Sequence, residues 1–345
     1  MADKFKNILI IKPSAIGDIV FALPALSAIR AACPDARIAW LIRTEYAQLL
    51  EGHPYLDEII IFDRKFLGRW YLHPKVFGEL VKFLKNLRKK KFDCVFDFQG
   101  LFRTAFFGWV TGAKNRLGMS NARECAPFFY TKKVSQDDES IHLIDFYLKM
   151  VSAAGLPVGK AEFVLPIAPE AEQTIDKKLS SQNIDTNKFA VIVPGAAHPD
   201  KCWPAESFAR LADRIAERFG LSIIAVGSDS EKGIVEQINK LAKTAIVDFA
   251  GKTSLAELAA LVKQAAIVIG NDTGASHIAA ALDRPIVIIF GRTNPARVAP
   301  YKRENSFVAA NPFGRGPVAD NFDAAYDIKK ITVDKVFEVV CRNIS

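Results

Sequence analysis

Residues 265–290 restrict the possible fold more than any other stretch of the chain. The apolar run 265–269 reads as a buried strand and residues 278–282 as a helix. Arg284 and Pro285 stop that helix, and the apolar run 286–290 is a second buried strand. Between the first strand and the helix lies Gly270-Asn271-Asp272-Thr273-Gly274-Ala275-Ser276-His277, which is small, polar and glycine-bearing. Strands alternating with helices build a parallel α/β sheet. Such a loop gathers free backbone N–H groups and the positive end of a helix dipole at one point, which suits a phosphate. Asn, Asp and Thr are also ordinary helix caps, so the stretch alone is equally a capped helix start.

The same alternation runs through the chain. Strands are expected at 7–11, 37–42, 58–62 and 94–98, with helices at 19–30, 46–50 and about 75–91. A helix at 142–155 precedes the irregular residues 157–169. The pattern restarts with strands at 189–193, 222–226 and 245–248 and helices at 206–219, 232–243 and 255–263. A chain of 345 residues exceeds one ordinary core. The expected architecture is α/β, with two Rossmann-like domains facing across a cleft: residues 1–165 and 170–327, with a C-terminal helix at about 328–345 packing back on the first.

Composition narrows the class. Half the residues are hydrophobic, which is sufficient for two cores. No run of 18 apolar residues occurs, so no membrane span is expected. The N-terminus leads directly into a strand and is not read as a signal peptide. Cys33, Cys94, Cys125, Cys202 and Cys341 form no CxxC pair and are read as free thiols in a reducing cytoplasm. Five dispersed histidines without HExxH argue against a zinc enzyme. The net charge of +8 lies wholly in the first half: residues 1–160 hold 24 Lys+Arg against 16 Asp+Glu, and residues 161–345 hold 22 of each. That half is either a solvated basic surface or one that meets an anion such as nucleic acid, a phospholipid surface or a phosphorylated substrate.

Four further loops at strand ends could carry chemistry. The first, residues 12–18, has Gly17 as its only glycine and so does not match GxGxxG, which weakens a nicotinamide or flavin reading. Its only carboxylate, Asp18, is either a first-turn helix charge or a general base within reach of a hydroxyl. Residues 194–204 present Lys201, a compact cation suited to a phosphate oxygen. His198 in that loop reads as solvated and Trp203 as packing. The 227–231 loop ends in Glu231 and offers carboxylates to ribose hydroxyls, or simply caps a helix. Residues 97–103 end a strand in the basic half, amid Arg64, Lys65, Arg69, Arg103, Arg116, Arg123 and Lys132, a set able to recognise phosphate or carboxylate. The lysine- and arginine-rich run 82–91 reads as a solvated helix face.

Taken together and in order, residues 10–26, 97–103, 194–204 and 270–281 resemble the lipopolysaccharide heptosyltransferases, bacterial glycosyltransferases of the two-Rossmann GT-B type. The stretches 64–70 and 121–124 look more like the first heptosyltransferase of the core than the second. The resemblance implies an ADP-heptose donor and an inverting, metal-independent transfer to the Kdo-lipid A inner core, with no cofactor. It implies a cytoplasmic enzyme with peripheral contact to the inner-membrane surface and no nucleic-acid partner. On the resemblance, Asp18 falls on the catalytic base. Lys201 meets the donor phosphates and shares in catalysis, Glu231 holds the ribose, and Asp272, Thr273, Gly274 and His277 form the donor-binding signature. Ser14, Gly17, Arg64, Lys65, Gln99, Arg103 and Arg123, in the basic half, are assigned to the acceptor. Ala196 and Ala197 depart from the pattern, since close relatives often carry hydroxyl residues there. The rival readings are a related transferase using another nucleotide-sugar, a dehydrogenase or nucleotide-sugar epimerase, and a non-catalytic polyanion-binding protein. The missing GxGxxG opposes the second, and no nucleic-acid motif supports the last.

Overall fold

Short, fully apolar runs become the central strands of two separate parallel sheets. The structure is a computed structural model that describes residues 4–69, 71, 73–312, 315–316 and 318–344. Trp70 lies outside the described residues. The chain divides at Pro166 and Ile167 into two units.

The first unit contains β1 (Asn7–Ile11), α1 (Ile16–Ala32), β2 (Arg37–Arg43), β3 (Glu58–Phe62), α2 (Arg64–Leu67), α3 (Pro74–Lys89), β4 (Cys94–Asp97), α4 (Phe102–Thr111), β5 (Asn115–Met119), β6 (Lys132–Val134) and α5 (Leu143–Ala153). Its strands lie in the order β3-β2-β1-β4-β5-β6, all pairs parallel. One face of the sheet buries Leu9, Ile11, Leu41, Phe62 and Val95 together with Leu87 of α3 and Phe107 of α4.

The second unit contains α6 (Pro169–Ser181), β7 (Phe189–Val193), α7 (Ala205–Phe219), β8 (Ser222–Ala225), α8 (Lys232–Leu241), β9 (Ile246–Asp248), α9 (Leu255–Gln264), β10 (Ile267–Asn271), α10 (Gly274–Ala281), β11 (Ile286–Phe290), α11 (Pro295–Val298), β12 (Phe307–Ala309) and α12 (Val333–Asn343). Its order is β12-β11-β10-β7-β8-β9, again all parallel. The α7 sequence places Phe208, Ala209, Leu211, Ala212 and Ile215 on one buried stripe, and Gly220 ends the helix at φ +65°.

The last helix, α12, packs on α7, β11 and β12 of the second unit. Val336 and Val340 are buried in the same core as Phe208 and Ile289. Helix α1 begins earlier than its apolar pattern suggests, so Asp18 lies in its first turn.

In both sheets the chain reverses direction of travel beside the first strand. Those reversals fall between β1 and β4 and between β7 and β10. In open parallel sheets, ligands bind outside the carboxyl ends of the strands at such switch points.

Candidate active site

The switch point of the first unit is built by the loops that follow β1 and β4. Lys12 leaves β1 buried, and its backbone is clamped by Leu41 O and by the Trp40 indole N–H, which donates to Lys12 O at 3.1 Å. Its ammonium donates to Oδ2 of Asp18 at 3.1 Å. Burial works against the Lys12 charge, but the Asp18 carboxylate and the Tyr147 hydroxyl outweigh it, and its pKa is raised. Asp18 itself is 39% exposed, so a tethered carboxylate faces outward from the first turn of α1. Gly17 precedes it in the same turn, and Ser14 lies half-buried in the loop before it.

The β4 loop is fastened by Asp97. Its carboxylate accepts from Gln99 N (2.9 Å), Gly100 N (3.2 Å), Thr104 Oγ1 (2.9 Å) and Tyr130 OH (2.7 Å). Burial nevertheless holds its pKa above the usual carboxylate range. The loop turns at Gly100, φ +70°, whose carbonyl accepts from Arg123 N at 3.0 Å. Gln99 and Arg123 are thus brought together at one strand end. Arg64 opens α2 and Arg103 sits in the first turn of α4. Burial, then the neighbouring Arg64 charge, draws the Arg103 pKa down, while Glu124 acts against this and Arg43 adds to it. Lys65 lies 3.8 Å from Glu45, which also holds Arg43 at 2.8 Å. Arg43, Arg64 and Arg103 therefore form a cationic cluster with only partial compensation.

The second switch point gathers the loops after β7 and β10. Thr273 caps α10 with extended backbone and no side-chain capping bond, and Gly274 opens the helix. The first N–H groups of any helix lack intrahelical acceptors. Just before this helix start, Asp272 Oδ2 lies 3.6 Å from Lys201 Nζ, which is also 3.3 Å from Asp320 Oδ1. His277 Nε2 meets Asp272 Oδ1 at 2.9 Å. Burial opposes ionisation of Asp272, but the His277 hydrogen bond and the charges of His277 and Lys201 prevail, and its pKa falls below the ordinary value. Lys201, Asp272 and His277 are thus one cluster.

Glu231 is placed otherwise. Its Oε2 accepts from Ser228 N (2.6 Å) and Ser228 Oγ (2.8 Å), which closes a helix cap. Its carboxyl group lies so close to Gly195 that any Cβ there would collide with it. It therefore sits over the β7 loop rather than in the Lys201 cluster.

Three participants escape the sequence patterns. Asn271 is fully buried; its Oδ1 accepts from Trp203 N (3.0 Å) and its Nδ2 donates to Pro194 O (2.7 Å), tying the Lys201 loop to the end of β10. Asp320 arrives from the irregular stretch after β12. Buried Arg315 pins that stretch through the carbonyls of Thr293 (2.7 Å) and Gly291 (3.1 Å), and buried Asn294 through that of Val318 (2.9 Å). Lys12 lies in a recognisable loop, but nothing in its spacing reveals that it holds Asp18. Trp203 is a core residue whose indole donates to Ile331 O at 2.9 Å.

Two parallel α/β sheets, each with polar loops at its switch point, are the architecture of the GT-B type of glycosyltransferase. The sequence pattern of glycosyltransferase family 9 (heptosyltransferase) matches residues 80–321, and the chain belongs to that family. It is similar to the lipopolysaccharide core heptosyltransferase OpsX of Haemophilus influenzae, with 27% identity over 309 residues, 88% of this chain and 84% of that one. It is also 27% identical to lipopolysaccharide heptosyltransferase 1 of Escherichia coli K12 over 316 residues, 89% and 94% of the two chains. Among solved structures, a glycosyl transferase family 9 protein of Veillonella parvula superposes with a TM-score of 0.83 at 23% identity, covering 100% of this chain and 98% of its own. The E. coli heptosyltransferase WaaC with ADP gives 0.77 at 24% identity, covering 98% and 99%. These two likenesses concern the fold. Among the described residues no helix is long and apolar enough to cross a membrane.

Proposed function

We propose that the chain transfers a heptose from ADP-heptose, with inversion, to the Kdo-lipid A inner core of lipopolysaccharide. The observation that carries this reading is Lys201 at the start of α10, held beside Asp272 and Asp320 at a switch point of a family 9 chain. Asp18 takes the proton of the acceptor hydroxyl as its oxygen bonds to the anomeric carbon. The bond from that carbon to the diphosphate breaks on the opposite side, and ADP leaves with the electron pair. Lys201 and the N–H groups of Gly274 and its neighbours meet the growing negative charge, a role that needs no metal. Thr273 and His277 line the same seat, and Glu231 binds the ribose. The first unit, with Ser14, Gly17, Gln99, Arg123 and the cluster of Arg64, Lys65 and Arg103, takes the anionic acceptor. The E. coli relative solved with ADP supports the choice of nucleotide.

Asp18→Asn is expected to keep ADP affinity and lose turnover by orders of magnitude; near-normal turnover would remove Asp18 as the base. Lys201→Ala is expected to weaken ADP binding in titration calorimetry and to slow transfer roughly a hundredfold, about 3 kcal/mol of barrier. Unchanged ADP affinity would leave Lys201 a structural cation. Ala196 and Ala197 favour a second reading in which the donor is a different nucleotide-sugar, because two hydroxyls that could meet the diphosphate are missing. Turnover across a panel of nucleotide-sugars separates the two.

A further inference from the structure

A ridge of aromatic rings lies along one side of the first unit. The inner face of α4 packs Thr104, Ala105, Phe107 and Gly108 into the core. Its outer face carries Phe102, Phe106 and Trp109, spaced four and three residues apart, where a surface helix ordinarily carries charge. Phe102 and Phe106 stack with centroids 6.1 Å apart, Phe106 stacks on Trp109 at 5.7 Å, and all three meet Phe129 at wide angles. Phe102 is 47% exposed, Trp109 51%, and the neighbouring Phe128 84%. Six of the seven exposed aromatic side chains among the described residues fall between Phe66 and Phe128. An uncovered apolar ridge of this kind marks a surface that meets something apolar.

The surroundings identify its chemistry. Residues 64–133 hold 16 Lys+Arg against four Asp+Glu, a balance of +12, and one of the four, Asp97, is buried. Beside the ridge a cleft of about 320 Å³ opens between α2, α3 and α4. Its walls are Leu67, Leu80, Leu84, Phe102 and Phe106, with Arg103 as its only charged lining residue. Such walls accept hydrocarbon and offer almost nothing for a nucleobase or a peptide backbone to hydrogen-bond.

We propose that this face docks on an anionic phospholipid bilayer. The rings of α4 and Phe128 enter the interfacial layer, and the surrounding lysines and arginines meet the lipid phosphates. Arg103 belongs both to the cleft and to the arginine cluster, so the cluster lies at the edge of the docked face. The inference extends the proposed function, whose acceptor is lipid-linked. Its test needs neither donor nor acceptor, so either can fail without the other.

The full chain is sedimented with vesicles of phosphatidylcholine alone and with 30% phosphatidylglycerol, at about 0.1 and 0.5 M salt. Binding is expected only to the anionic vesicles, with part of it surviving the higher salt. Trp109 emission is expected to be quenched by brominated acyl chains, and the quenching to vanish in Trp109→Leu. Phe102→Ser/Phe128→Ser, which alters two exposed rings, is expected to lower partitioning about tenfold or more. An unchanged circular dichroism spectrum and melting temperature exclude misfolding of that variant. Loss of all binding at 0.5 M salt, with the double variant equal to wild type, overturns the proposal in favour of a plain polycation. A concentration-dependent dimer dissolved by Phe128→Ser overturns it in favour of a self-interface, and RNA binding that depends on the same rings overturns it in favour of nucleic acid.

Discussion

Asp272 sets the charge of the Lys201 cluster. It is largely buried, yet it accepts from His277 and lies beside Lys201. Burial resists its ionisation and the two partners overcome that resistance, so its folded pKa lies below the ordinary carboxylate value. A depressed carboxylate contributes stability that is fully present above the unfolded value, about 3.9, and is lost as pH falls through the lower folded value. Asp272→Asn is therefore expected to cost about 2 kcal/mol at pH 6, and the gap from wild type should close towards pH 3. Urea denaturation at both pH values checks this, and a gap that does not change with pH would mean that no ionised carboxylate is being lost. The Lys12–Asp18 pair is built differently. There the cation is buried and the carboxylate is reachable, so Lys12 orients Asp18 without covering it.

At the scale of elements, the switch-point loops of each unit are held by one buried polar side chain, Asp97 in the first and Asn271 in the second. Asp97 receives four donors at the end of β4, two from the backbone and two from hydroxyls. Asp97→Ala leaves them unmatched in a buried place and is expected to cost about 3 kcal/mol or more by urea denaturation. It should also loosen Gln99 and Gly100, and faster amide exchange at those two residues would report that. The central elements were legible because β1, β7, β10 and β11 are buried almost throughout and read as continuous apolar runs. β5 and β6, with the sequences NRLGM and KKV, are polar and partly exposed, and went unread, as did the edge strand β12. The three-residue turn of Pro199–Lys201 likewise has no periodicity to betray it. Asp272 and His277, five residues apart, meet because the chain turns into α10 between them. Asp320 has no such local cause, because a segment fastened by Arg315 to backbone carbonyls can carry almost any sequence. Gly270 stands between these cases. A glycine in a strand signals a close approach, but only the fold shows that a Cβ there would lie 2.6 Å from Val193 Cβ and 2.9 Å from Ser276 Oγ.

At the scale of the molecule, sequence charge and sheet topology divide the chain in the same place. The basic half coincides with the first sheet, and the nearly neutral half holds the Lys201 seat. Each unit has its own six-stranded sheet, and Val336 and Val340 of α12 are buried in the second core. A chain with two separate cores need not melt as one cooperative body. Scanning calorimetry of the full chain is expected to resolve two transitions. ADP at a hundred times its dissociation constant adds about 2.7 kcal/mol to whatever folded body binds it. For a unit of this size that corresponds to an upward shift of about 5–10 °C. The shift should fall on one transition only, and Lys201→Ala should abolish most of it while leaving the other transition in place. A single transition that moves as a whole with ADP would mean that the two units unfold together, and ADP bound at one unit would then stabilise the other as well.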